Sequence, residues 1–290
     1  MKNTNHHLSS HGCQLKQQMS SALSPLLYDT KKSEYYLTLP TPFSHIRITP
    51  PRLSDVDVLV EMLNEDAVWP YLSSPPYPYL KEHGQEWIER IHLETINIID
   101  ALEKHQRDKP LGTPGFAGGC PVRYLREVKI NPDGSEEEFL IGDVGFSRHG
   151  FPEIDDRVQA DAMTMENMSR AVGDPEIVWM VGGESCSNLS FEADSNHSLG
   201  PDFLRTSHQG KGIMTVALRL LLKEWAIPRM GAKKMIGTLY DGNIGSQRVL
   251  EKCGFVTRPE KLIDYVEIPP SKGGGRKTLV VMDWDPERLS

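Results

Sequence analysis

The strongest periodicity in the chain lies between Met214 and Trp225. Met214, Ala217, Leu218, Leu221, Leu222 and Trp225 recur at i, i+3, i+4, i+7, i+8 and i+11. That spacing lays one apolar stripe along a helix, and Pro228 and Gly231 are read as its end. A second stripe, Val56, Leu59, Val60 and Leu63, marks "LSDVDVLVEMLN" as a helix, with Ser54 as cap and Asp57 approximating a capping box. A third helix runs from about Lys81 to Leu102 and buries Trp87, Ile91, Ile98 and Leu102. Between them, the prolines of "WPYLSSPPYPYL" deny both helix and ladder.

Strand patterns alternate with these helices. "SHIRITPPRL" reads as an edge strand stopped by Pro50 and Pro51. "CPVRYLREVKI" and "EFLIGDVGFS" form a hairpin about Asp133-Gly134. From Gly150 to about His197 periodicity fades, and "IVWMVGG" is the one short strand in a block read as an insertion, partly mobile. "HSLGPDFL" and "KKMIGTLY" are strands, and "NIGSQRVLEKCGF" is a short helix with Gly254 at C′. "LIDYVEI" and "TLVVMDW" close the chain around "PPSKGGGRK". The sum is an α/β (α+β) class: a mixed sheet with helices on its faces.

Composition narrows the setting. The chain has 290 residues, 38% hydrophobic and 25% charged, enough for one large domain or two small ones. We expect a disordered tail over residues 1–34 and one domain over 35–290 with an insertion at about 150–197. The polar, Ser-rich start lacks the apolar segment of a secretory signal. No apolar run reaches membrane length. Cys13, Cys120, Cys186 and Cys253 lie far apart, without zinc-site spacing, as in a cytoplasmic protein with reduced thiols. A net charge of −8 argues against nucleic acid as a partner.

Candidate chemistry starts at "RTSHQGKGIMT", Arg205 to Thr215. A strand, a glycine loop and a helix start point free N–H groups at an anion. The P-loop pattern fails, because one residue separates Gly210 from Gly212 and no Ser or Thr follows a Gly-Lys pair. A dinucleotide fingerprint fails at Thr215 and lacks an early βαβ unit. A Q/R-x-x-G-x-G/A loop for the pyrophosphate of coenzyme A fits at Gln209 and Gly212 but has Met214 at its end. A helix start with no ligand stays open at this point.

"HQGKGIMT" followed by "NIGSQRVLEKCGF" resembles the GNAT (GCN5-related) N-acetyltransferase superfamily, in particular its RimJ/RimL-type branch. "PRLSDVDVLVEMLNEDAVWPYL" and "PYPYLKEHGQEWIERI" are similar to the same branch. The resemblance spans about Ser44 to Trp284. It implies a GNAT fold in which two parallel strands, "HSLGPDFL" and "KKMIGTLY", splay apart around the pantetheine arm of acetyl-CoA. Cofactor contacts would come from Phe203, Leu204, Gln209, Gly210, Lys211, Gly212, Ile213, Met214, Asn243 and Ser246. The Leu204 backbone N–H would hold the oxyanion, and Ser246 would stand near the sulfur. Many members carry a tyrosine where this chain has Leu250. Plainer roles stay open: a solvated Lys211, Asn243 as a helix cap and Ser246 as a first-turn serine.

The implied reaction moves acetyl directly to a primary amine on a small molecule or a protein N-terminus. A non-catalytic coenzyme A-binding protein of the same fold is the alternative. Asp202, His208, His149 and Glu184 are candidate bases by position alone. The acidic run at Asp155, Asp156, Asp161 and Glu166 reads either as a lure for a cationic acceptor or as a solvated insertion. "WPYLSSPPYPYL" and the insertion are expected around the acceptor, as the resemblance implies for the helix 1–2 region and the late hairpin, and monomer and homodimer are both compatible with the pattern.

Overall fold

The computed structural model describes residues 23–72, 75–108, 115–154, 156–181 and 202–289. In chain order its first strands are β1 (Leu27–Asp29), β2 (Glu34–Thr38), β3 (Ile46–Thr49), β4 (Tyr124–Ile130), β5 (Glu136–Asp143) and β6 (Phe146–Arg148). Then come β7 (Val178–Val181), β8 (Phe203–Leu204), β9 (Lys234–Tyr240), β10 (Phe255–Glu267) and β11 (Arg276–Trp284). The helices are α1 (Val56–Leu63), α2 (Lys81–Asp108), α3 (Arg157–Ser169), α4 (Ile213–Leu221) and α5 (Ile244–Lys252). One sheet has the order β1-β2-β3-β4-β5-β8, and the other β10-β11-β9-β7-β6.

The two sheets are one surface that parts. β5 continues into β6 after two residues, so one stretch of chain serves both sheets. Opposite it, β7 pairs with β6 through Phe146↔Val181, and β8 pairs with β5 through Asp143↔Phe203. β7 runs parallel to β9 from Val178↔Lys234 to Val181↔Gly237. Past that point, among the described residues, β9 pairs only with β11, while β8 stays with β5.

Side-chain alternation explains how the faces are covered. α4 lays Ala217, Leu218 and Leu221 on a core that includes Trp179, Met235 and Leu239. Burying each such leucine contributes roughly 1.5–3 kcal/mol. α1 and α2 cover a second cluster, where Leu59, Trp87 and Ile91 meet Tyr124, Leu140 and Phe203. Among the described residues no helix is long and apolar enough to cross a membrane.

Several elements depart from the sequence reading. The core reaches back to Leu23 and Leu26, both buried, so part of the expected tail is packed structure; residues 1–22 lie outside the described residues. Ile46–Thr49 is not an edge strand, because β2 and β4 flank it on both sides. Asp55, not Asp57, closes the start of α1, accepting from the Arg52 N–H at 2.7 Å. The helix of α4 passes Pro228: a π turn (Leu222–Ala226) shifts the bonding, a last α turn (Ile227–Met230) follows, and Gly231 ends it. The π turn removes the need for the N–H that proline lacks.

The described part of the expected insertion, up to Val181, is also more regular than its sequence pattern. α3 occupies part of it, and β7 is an inner strand. The buried positions of α3 are Ala160, Thr164 and Asn167. Asn167 donates to His149 O (3.0 Å) and Val178 O (2.8 Å) and accepts from Val178 N (2.9 Å). The helix is docked by hydrogen bonds, so it carries no apolar stripe for a periodicity search to find.

Candidate active site

The site begins where the strands part. The expected pair of splayed strands exists, and among the described residues its first arm is formed by β7 and β8 together. "IVWMV" is therefore the lower part of that arm. His197 to Pro201 lie outside the described residues. The Arg205 N–H donates to Ile141 O at 2.8 Å, which makes Arg205 and Phe203 the hydrogen-bonded partners of β5. An antiparallel ladder alternates, so Leu204 turns its N–H and C=O into the gap. Phe203 does not: its backbone faces β5 and its side chain is buried in the α1–α2 cluster.

The chain leaves β8 through a 3₁₀ turn, Thr206–His208, and reaches the glycine loop. Gly210 has φ +71° and Gly212 φ +85°, a region that favours glycine. A Cβ built on either would meet nothing within 4 Å, so packing does not demand glycine here. The loop needs the conformation and the open space, as a cradle for an anion does. Val216 N–H closes the first helical bond, on Gly212 O at 3.1 Å. The first-turn amides before it have no intrahelical acceptor, and the helix dipole makes them a positive end. Ile213 is buried and Met214 packs against the core. The methionine side chain therefore lies away from the cradle.

Gln209 holds the loop by its side chain. Its amide donates to Leu204 O at 2.8 Å, tying the loop to the strand and occupying that carbonyl. Lys211 is exposed. Asn243 caps α5, its Oδ1 accepting from Ser246 N at 3.2 Å. That capping bond engages the Ser246 backbone amide. Leu250 is buried beneath the sheet, against Gly237.

One site residue has no signal in the sequence. Glu65, just past α1, accepts from Thr206 N at 2.8 Å and Thr206 Oγ1 at 2.5 Å, and lies 3.4 Å from Arg205 Nε. It fixes the chain as it leaves β8 for the glycine loop. Thr206 is 141 residues away, beyond any local motif. Glu65→Ala is expected to raise the KM for acetyl-CoA about tenfold, the worth of one bond to a charged group, with kcat little changed. Steady-state kinetics with varied acetyl-CoA checks this.

The candidate bases separate clearly. His149 is fully buried and bonded to Glu153 at 2.7 Å, away from the gap. His208 lies beside the loop; burial lowers its pKa, against the pull of Glu127, while Lys211 and Arg205 lower it further. Glu184 and Asp155 lie outside the described residues. In the acidic run, Asp156 caps α3 (Val158 N, 2.9 Å) and Glu166 pairs with Arg170 at 2.6 Å. Asp202 immediately precedes β8 and is partly exposed. Its Oδ1 accepts from Gly145 N at 2.9 Å, in the bend between β5 and β6. Asp143 beside it is locked to Arg123 by two bonds of 2.7 and 2.9 Å.

An arch spans the far side of the gap. Lys277 Nζ donates to Pro70 O at 2.6 Å and Lys272 Nζ to Leu72 O at 2.6 Å. Lys277 Nζ also sits 4.5 Å from the centre of the Tyr240 ring, at the end of β9. In the bridged loop, Trp69 and Tyr77 stack at 4.2 Å. The late hairpin and the proline-rich loop thus meet through two lysine–carbonyl bonds.

Residues 45–256 match the family model described as an acetyltransferase (GNAT) domain. The chain belongs to the GNAT acetyltransferase family. Within the GNAT family it is similar to a probable N-acetyltransferase, YjcK, of Bacillus subtilis (strain 168), 43% identical over 53 residues. That match covers 18% of this chain and 29% of the relative, so the chain spans under a third of the length of that curated protein. Among solved structures it is similar to a ribosomal-protein-S5-alanine acetyltransferase from Vibrio fischeri, with 14% identity, TM-score 0.49, 86% of this chain and 97% of that one. It is also similar to RimL, a ribosomal L7/L12 alpha-N-protein acetyltransferase, in complex with coenzyme A, with 13% identity, TM-score 0.47, 87% of this chain and 99% of that one.

Proposed function

We propose that this protein is an acetyl-CoA-dependent N-acetyltransferase that moves an acetyl group directly to a primary amine. One observation carries the reading: the Leu204 backbone faces a gap between parting parallel strands, and that gap leads into an open glycine cradle. In this reading the amides from Gly210 to Met214 hold the pyrophosphate, with Lys211 adding charge nearby. The Leu204 N–H stabilises negative charge on the acetyl oxygen. The Ser246 hydroxyl donates to the departing thiolate. Asn243 shapes the start of α5 around that serine. Acetyl-CoA supplies the activated thioester, and the protein binds it, orients it and manages protons. Free thiols at Cys120 and Cys253 fit an intracellular setting.

The arch bears on the acceptor. Two lysine–carbonyl bonds join the hairpin to the loop over the amine side of the gap. A continuous polypeptide cannot lie across such a bridged opening, whereas a chain end or a small molecule enters it end-on. The favoured acceptors are therefore α-amino groups of peptides and small primary amines. Two hexapeptides separate the possibilities: one with a free N-terminus and no lysine, one N-terminally blocked with a central lysine. With acetyl-CoA, the first is expected to gain one acetyl by mass spectrometry with equimolar thiol release. Acetylation of the blocked peptide alone contradicts the end-on reading. Cofactor binding without thiol release, across both peptides and small amines, favours the non-catalytic alternative.

A further inference from the structure

The reaction needs a group to take the proton from an ammonium acceptor, and the direction of β8 shows where it must stand. The glycine cradle follows the C-terminal end of β8. A pantetheine arm running from that cradle along the gap therefore passes Leu204 first and reaches the N-terminal end of β8 last. The thioester, at the far end of the arm, lies where the strands part. Asp202 occupies that end. It is the residue before Phe203, and its carboxylate is held at the bend at Gly145, where β5 gives way to β6 and the two sheets part.

We propose that Asp202 is the catalytic base of the transfer, a role that rests on the acetyltransferase reading above. Its carboxylate accepts one proton from the R–NH3⁺ acceptor, giving R–NH2 and the neutral acid. The amine lone pair then forms the C–N bond at the thioester carbon. The C–S bond breaks with its electron pair on sulfur, and the second amine proton ends on the thiolate. Products are the amide and coenzyme A thiol, and Asp202 returns its proton to water, so one proton is released per transfer.

The surroundings suit the task. Asp202 Oδ1 is held by the Gly145 N–H, which fixes the carboxyl at the bend. The charged neighbours are Asp143 on β5 and Arg123 ahead of β4; Arg123 is committed to Asp143 by its two-bond pairing, so it supplies Asp202 with little countercharge. Beyond Asp143 stand Tyr79 and, on α2, Arg90. Burial first, then the Asp143 charge, pushes the Asp202 carboxyl from the ordinary 3.8 up to about 8. A base is most effective when its pKa lies near the working pH.

Asp202→Asn tests the assignment, using the free-N-terminus hexapeptide as acceptor. Transfer is expected to fall about 100-fold, with the acetyl-CoA Kd within about threefold of wild type by calorimetry. Asp202→Ala is expected to regain activity in proportion to added formate, a signature that a structural residue would not give. A reading independent of activity comes from linkage. The native state holds this proton more tightly than the unfolded chain between pH 4 and 8, so its contribution to stability is lost as pH rises through that window. Asp202→Asn removes the loss, and its melting temperature should exceed wild type by more at pH 8 than at pH 5. Asp202→Asn activity within about threefold of wild type overturns the assignment, and so does a loss of acetyl-CoA binding equal to the loss of rate. A wild-type protein that transfers nothing to any amine overturns the acetyltransferase reading itself.

Discussion

Gly142→Ala is expected to cost the protein most of its grip on acetyl-CoA. A Cβ at this position would stand 2.4 Å from Phe203 O, 2.7 Å from Leu204 Cδ2 and 3.2 Å from Leu204 Cα. Two of those atoms are backbone, which cannot swing aside as a side-chain tip can. β8 is only two residues long, held to β5 at Gly142↔Leu204 and Asp143↔Phe203 and by the Arg205 N–H on Ile141 O. The added methyl must therefore lift β8 from the sheet. The Leu204 N–H then leaves its place in the gap, and Gln209 pulls the glycine loop with it through its bond to Leu204 O. Overpacking of this kind costs about 1–3 kcal/mol of stability, and acetyl-CoA affinity should drop by more than about tenfold. Calorimetry beside a urea transition separates the two losses; unchanged affinity would mean that β8 does not carry the cofactor.

Asp55→Ala is expected to be the most destabilising of the substitutions considered, by about 3–5 kcal/mol, because it strands a buried guanidinium. Arg126, 3% exposed, bonds both Asp55 oxygens at 2.9 and 2.6 Å and Thr49 Oγ1 at 2.8 Å. Asp55 in turn accepts from the Arg52 N–H. This pair fastens β4 to the start of α1, and α1 leads to Glu65, the clamp on Thr206. Denaturant unfolding should show a lower midpoint with an unchanged slope. Replacing both partners by apolar residues of similar volume should recover much of the loss.

What could be read ahead of the structure follows from how local each signal is. α4 was legible because its stripe faces a purely apolar core, and Gly210 and Gly212 because their positive φ angles restrict residue choice. The Asp133-Gly134 turn was legible for the same reason, with Gly134 at φ +82°. α3 was hidden by its polar docking face, where Thr164 bonds Gly150 O at 2.8 Å and Asn167 replaces an apolar contact. Of the splayed arm, "HSLGPDFL" marks β8 but not β7, because the two described pieces are short and lie far apart in sequence. Glu65 and the Arg126–Asp55 pair depend on contacts across the whole chain, which no window of sequence contains. Asn243 does the plainer of its two expected jobs, capping α5 on the Ser246 N–H.

The most direct measurement is a calorimetric titration of the full chain with acetyl-CoA, repeated on Gly212→Trp. The indole would fill the open space of the cradle, where no protein atom lies within 4 Å of a Cβ. Single-site binding by the wild type, weakened by more than about 100-fold in Gly212→Trp while the fold is retained, is the result expected from a backbone cradle whose use of the cofactor depends on close approach. No binding by the wild type, or equal binding by the two proteins, would contradict the placement of acetyl-CoA in this loop.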